Sequence, residues 1–186
     1  MKQIFWLVSV LALLTACSGE NRELAGAMSL RDRLLDAEEC CFQAEITADY
    51  GDTLHSFSMD CRTDNQGNLS FEVTAPDDIS GIKGTLSDTG GTLDFEDTAL
   101  YFDLLTDDQL PPVSAPWILM KGLRSGCITA VCIEDQLLRI TVDDSYAEDA
   151  LQLDVWVNED DAPVRGDILY DGKRILSVDV GNFVFS

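Results

Sequence analysis

From residue 42 onward, apolar and polar residues mostly alternate. In "FQAEITADY" (42–50), Phe42, Ala44, Ile46, Ala48 and Tyr50 fall on one face, and Gln43, Glu45, Thr47 and Asp49 on the other. A period of two marks a half-buried strand. The same pattern recurs at "HSFSMDC", "LSFEVTA", "GIKGTLS", "TLDFED" and "ALYFDLL", separated by turn sequences such as "DNQG" and "DTGG". It resumes at "CITAVCIED", "LLRITVDD", "LQLDVWVNED", "PVRGDILY" and "RILSVDVGNFVFS", with Tyr170-Asp171-Gly172-Lys173 as a two-residue hairpin turn. Such short connections make successive strands antiparallel neighbours. Within "LQLDVWV", Leu151, Leu153, Val155 and Val157 alternate with Gln152, Asp154 and Trp156. Trp156 therefore sits on the solvent-side face and is a candidate partner contact, because aromatic residues are enriched at binding hot spots; the alternative is that it rests on a neighbouring strand.

Two segments change period. Arg22 to Glu39 places Leu24, Met28, Leu34 and Leu35 at helical spacings, with Arg31, Arg33 and Asp36 between them, which predicts an amphipathic helix. In "PPVSAPWILMKGLRSG" (111–126), Pro116 suits a first helical turn, Trp117, Met120 and Leu123 share a face, and Gly126 is a stop. Eleven strands with two helices predict a mainly β (α+β) fold built on one large curved antiparallel sheet. An apolar sheet face cannot remain in water, so the N-terminal and central helices are its cover.

Composition decides that the chain folds and constrains its partners. Of 186 residues, 46% are hydrophobic, enough for a core, while 34 acidic against 12 basic residues give a net charge of −22. Such a surface repels phosphate backbones, which excludes nucleic acid as a partner and favours cationic ones.

The N-terminus carries an address. Met1-Lys2-Gln3 is a weakly basic start, and Ile4 to Leu14 is an apolar stretch of 11 residues broken only by Ser9, too short for a span and suited to a secretory leader. It ends in Leu14-Thr15-Ala16-Cys17, which resembles the lipobox of bacterial lipoproteins. The resemblance implies a signal peptide over 1–16, a diacylglyceryl (palmitate-type) group on Cys17, a lipidated tether over 17–21 and one domain over 22–186. Two acyl chains anchor stably, so the body would be held at an extracytoplasmic membrane face. An ordinary secretory signal containing a cysteine is the alternative.

Export makes disulfides admissible. Besides Cys17 there are Cys40, Cys41, Cys61, Cys127 and Cys132, an odd number. A hairpin turning near Gly51-Asp52 brings Cys61 towards Cys40 or Cys41, and Cys127 with Cys132 is a second candidate pair. The alternative is five small buried thiols. No CxxC is present, and His55 is the single histidine, so a zinc set is not predicted.

Catalytic patterns are sparse. There is no GxSxG elbow, and His55 in the first hairpin is a structural or surface residue on this reading. Carboxylate pairs at Asp77-Asp78, Asp107-Asp108, Asp143-Asp144 and "NEDDA" (158–162) lack calcium-loop spacing and read as solvated turns. Neither enzyme nor cofactor nor metal is predicted.

The order of helix, six-strand meander, Pro-led helix and terminal strands resembles the LolA/LolB-like lipoprotein-carrier fold. "FEVTAPDDISGIKGTLSDTGGTLDFED" and "VWVNEDDAPVRGDILYDGKRIL" are similar to stretches of LolA-like lipoproteins, including the spore-germination group. The resemblance covers 22–186 and implies a half-barrel closed by helices over an apolar cavity. Phe42, Ile46, Phe57, Met59, Phe71, Val73, Trp117, Met120 and Leu123 are its candidate lining. It further implies a lipid, acyl-chain or lipoprotein ligand, or an adaptor role towards an envelope or spore-germination protein. A body tethered through its own Cys17 cannot shuttle between membranes, which favours local binding over transport.

Overall fold

The computed structural model describes residues 18–49, 51, 53–95, 98–104, 110–145 and 151–186. The leader, Cys17, Asp52 of the first turn and the Asp107-Asp108 pair lie outside the described residues. The elements are α1 (Ser18–Asp36), β1 (Glu39–Asp49), β2 (Leu54–Asp64), β3 (Leu69–Ala75), β4 (Lys83–Ser87), β5 (Gly90–Phe95) and β6 (Thr98–Phe102). Then come a 3₁₀ turn (Pro112–Ser114), α2 (Ala115–Ser125), β7 (Cys127–Glu134), β8 (Leu137–Asp143), β9 (Gln152–Val157), β10 (Pro163–Tyr170) and β11 (Lys173–Phe185).

All eleven strands form one open antiparallel sheet in the order β6-β5-β4-β3-β2-β1-β11-β10-β9-β8-β7. It is two meanders welded along β1 and β11, with Ile46 opposite Val178 and Ala44 opposite Val180. The single open antiparallel sheet is the one that the alternation predicts, and it matches the half-barrel that the resemblance implies. Its curvature is helped by bulges, one where β11 gains a residue against Cys41 to Gln43 and Asn182 takes a positive φ of 52°. The predicted Asp171-Gly172 turn has φ of 49° and 68°, the left-handed pair that a two-residue hairpin needs.

Since β6 and β7 are consecutive in sequence yet occupy opposite edges, the chain between them must cross the sheet. It does so over the apolar face, and α2 is that crossing. Trp117, Ile118, Leu119, Met120 and Leu123 are all buried there. Removing each from water contributes about 1.5–3 kcal/mol, which explains why an 11-residue helix is stable in this place. Glycines admit its close approach. A Cβ on Gly166 of β10 would overlap Leu119, and one on Gly122 would lie 2.6 Å from Leu153 Cδ2. Gly126 ends the helix in extended conformation, because a side chain there would collide with Val142.

α1 departs from the sequence reading twice. It begins at Ser18, so the polar stretch expected as tether is helical. Its buried stripe is Ala27, Leu30 and Leu34, while Leu24, Met28 and Leu35 are exposed. Of the residues taken for its apolar face, Leu34 alone is in the core. The face is decided by Arg31, which turns towards α2 and donates to the carbonyls of Leu123 and Gly126, each at 2.8 Å. These carbonyls are among those a helix C-terminus leaves without internal partners.

Candidate functional site

Most of the expected cavity lining is packed core. Phe42, Ile46, Met59, Phe71 and Val73 are buried on the inner face of β1–β3, with Met120 and Leu123 of α2 in the same core, and Phe57 is half-buried beside them. The helix side chains fill the space that a wider half-barrel would leave open. α2 is also fixed in position. Trp117 Nε1–H donates to the Gly67 carbonyl at 3.0 Å, and Arg124 donates to those of Asp64 and Asn65 at 2.7 and 2.9 Å.

That turn is itself braced. The Asp64 carboxylate accepts the backbone N–H groups of Gln66 and Asn68, both at 2.9 Å, and Asn68 Nδ2–H at 2.8 Å. Partial burial opposes its charge, but hydrogen bonds from Asn68 and the neighbouring backbone hold Asp64 below the usual carboxylate value.

One apolar pocket of about 210 Å³ remains on the other flank of α2, towards β8 and β9. Trp117, Ile118 and Gly122 form one wall, Val142, Leu151 and Leu153 the other, and Leu104 and Leu110 close it from the β6–α2 connection. Lys121, Asp88 and Asp144 supply its charged groups. The Lys121 ammonium pairs with Asp88 and lies 4.7 Å from the Trp117 ring centroid, so the cation is held at the pocket by a carboxylate and an aromatic face.

Trp117 is thus the sequence-predicted lining residue that the structure brings to this pocket. Ile118, Leu151 and Leu153 lacked a distinguishing signal, since each reads as ordinary inward-facing core. Leu104 was absorbed into a strand reading, "ALYFDLL", that the structure ends at Phe102.

Trp156 does occupy the outer face, as alternation requires, and it is half-buried there. Its ring lies beneath two guanidinium groups, Arg165 at 4.7 Å and Arg139 at 5.4 Å, and its Nε1–H donates to Glu134 at 3.2 Å. The arginines continue into buried carboxylates, Arg139 to Asp154 at 2.7 Å and Arg165 to Asp167 at 2.6 Å, with Thr141 donating to Asp154 at 2.7 Å. The hydrogen bonds to Asp154 and Asp167 raise the pKa values of the two guanidinium groups. This cluster ties β8, β9 and β10 together, because a buried carboxylate needs its partners.

Among the described residues, Cys40, Cys41, Cys61, Cys127 and Cys132 are free thiols. The β1–β2 register sets Cys61 opposite Phe42, while Cys40 faces Thr63 and Cys41 faces Arg62. Cys40 and Cys61 are therefore diagonal neighbours, at a Cβ separation near 7 Å where a bridge needs about 3.5–4.5 Å. Cys127 and Cys132 lie five positions apart on extended β7, about 16 Å, and cannot join. Cys41, the other expected partner, lies on the opposite sheet face from Cys61, and among the described residues neither expected bridge is formed. Burial pushes the Cys40, Cys41 and Cys61 thiols up, Cys61 most strongly.

The remaining candidates are surface features. His55 is exposed on β2 opposite Ala48. Asp77-Asp78 lie in the turn after β3, Asp144 accepts the Leu151 N–H at 2.9 Å, and Asn158 accepts the N–H groups of Asp160 and Ala162 at 3.0 Å. Among the described residues, no set of three or more His, Cys, Asp or Glu is arranged for a metal, and no helix is long and apolar enough to cross a membrane.

No protein-family model matches the sequence, and no curated protein matches it. Solved structures do resemble the fold. An uncharacterized conserved protein from Thermus thermophilus is 11% identical, with 86% of this chain and 87% of that one covered and a TM-score of 0.49. A putative outer membrane lipoprotein-sorting protein domain from Vibrio parahaemolyticus is 8% identical over 90% and 94%, with a TM-score of 0.48. A LolA superfamily protein from Nitrosomonas europaea is 7% identical over 86% and 93%, with a TM-score of 0.46. At these identities and TM-scores the likeness assigns no family; what the chain itself has is an open antiparallel sheet of eleven strands with two helices.

Proposed function

We propose that the chain is an extracytoplasmic bacterial lipoprotein, anchored through a diacylglyceryl group on Cys17, whose half-barrel is a non-catalytic binding module for one acyl chain. The pocket between α2 and β8–β9 carries this reading. Its walls are apolar, and Lys121 and Asp88 furnish a charged pair for the polar end of a lipid. A volume of about 210 Å³ is below the roughly 300–1,000 Å³ of ordinary small-molecule sites, so a single chain or its end fits and the several chains of a whole lipoprotein do not. The packed core beneath α2 supports the same limit, since enlarging the pocket there means moving a helix fixed by Arg31, Trp117 and Arg124.

The test is titration of the full chain in non-ionic detergent with a fluorescent fatty acid, beside a Leu151→Trp form that fills the pocket from its half-buried wall. Saturable 1:1 binding that Leu151→Trp weakens at least tenfold supports the reading. Equal binding by both forms, or none, overturns it.

A further inference from the structure

The far end of the sheet is finished differently from the rest. β6 is an edge strand, so every second residue directs its N–H and C=O away from β5, and among the described residues no strand pairs with that side. The opposite edge, β7, is overlaid by packed α1. β6 lacks the usual protections of an edge: it has no lysine, no proline and no bulge against β5.

Phe95, Leu100 and Tyr101 at this end are apolar and uncovered, while Leu93 and Phe102 are half-buried. Leu100 is opposite Leu93, Thr98 opposite Phe95, and Phe102 opposite Gly91, all on the face that elsewhere carries the core. Leu100 is 58% exposed and Phe95 47%, and Tyr101 on the outer face reaches 79%. The apolar face thus runs past the reach of α2. The strand is nevertheless held in place, because the Phe102 ring occupies the space that a Gly91 side chain would need.

Charge selects the occupant. Asp94, opposite Ala99, and Asp103, next to Phe102, flank a strand with no lysine or arginine, in a chain of net charge −22. A second copy would bring the same carboxylates against these. A basic strand would be drawn in, and salt would weaken its hold.

We infer that β6 is a docking edge for an extended basic segment of a partner protein, added antiparallel as a twelfth strand. Backbone pairing to 98–102 supplies register. Alternate apolar residues of the segment lie beside Leu100 and Phe102, and the intervening lysines or arginines meet the acidic surround. The pocket beside α2 has none of residues 98–102 in its lining.

A blocked heptapeptide of alternating lysine and valine, labelled with a fluorophore, tests this against the full chain in non-ionic detergent by anisotropy. The expected result is saturable binding, weakened at least tenfold by Leu100→Lys and again by raising the salt from 50 to 500 mM. A version N-methylated at alternate backbone nitrogens should lose binding, because main-chain pairing is removed. Circular dichroism confirms that Leu100→Lys, a change at an exposed position, folds as the parent. Equal binding to parent and Leu100→Lys, undiminished binding of the N-methylated peptide, or no binding overturns the inference. So does a parent that sediments as a dimer dispersed by Leu100→Lys, which would make a second copy the occupant.

Discussion

Gly166 of β10 faces Leu119 of α2 so closely that a Cβ on the glycine would overlap the leucine's Cδ1. Leu119 is fully buried. Gly166→Val should therefore destabilise the protein by about 1–3 kcal/mol, through overpacking where the crossing helix meets the sheet. Denaturant melts followed by tryptophan fluorescence measure it. An unchanged midpoint would mean that α2 is not seated on β10 as described.

Arg31 is the link between the two helices. Its loss, in Arg31→Met, leaves the Leu123 and Gly126 carbonyls without that donor while keeping much of the aliphatic stem. A cost of about 1–3 kcal/mol is expected in the same melt, as for hydrogen bonds from a charged group.

The thiol state gives a chemical test. Cys132 is exposed, whereas Cys40 and Cys61 are 3% and 4% accessible. A thiol reagent should modify Cys132 in the native protein and reach Cys40 and Cys61 only in denaturant, with no reductant added. Burial raises the two thiol pKa values and slows them further, because the thiolate is the reactive form. If Cys40 and Cys61 become reactive only after reduction, the diagonal register is wrong.

Asp64 adds a dependence on pH with a definite sign. Its folded pKa is below the unfolded value, so its stabilising contribution is complete above about pH 4 and is lost as pH falls through the lower folded value. The stability difference between parent and Asp64→Ala should be constant near neutrality and shrink below pH 4. A difference that grows on acidification would contradict the brace around the β2–β3 turn.

Much of the architecture was legible because period-two alternation continues through nearly every strand, and the Asp171-Gly172 turn announces its hairpin. The crossing helix was legible from Pro116 to Gly126. Three things were not. The face that α1 buries is decided by Arg31 reaching α2, a tertiary contact that competes with Leu24, Met28 and Leu35 in the local pattern. The cysteine partners depend on register, and a shift of one residue places Cys61 against Phe42 instead of Cys41. The pocket is a remainder left by packing, so Ile118, Leu151 and Leu153 look like any other inward residues. Trp156 shows the complementary limit: alternation gives its side of the sheet but not the arginines that cover it.

The anchor and the ligand are tested together by native mass spectrometry of the full protein extracted from its own membranes, with cells fed an alkyne-bearing palmitate. The account predicts label on the parent that Cys17→Ala abolishes, and one non-covalent acyl-bearing ligand per chain that Leu151→Trp loses while keeping its label. A labelled protein with no bound acyl mass and no uptake of added fatty acid would contradict the acyl-binding claim.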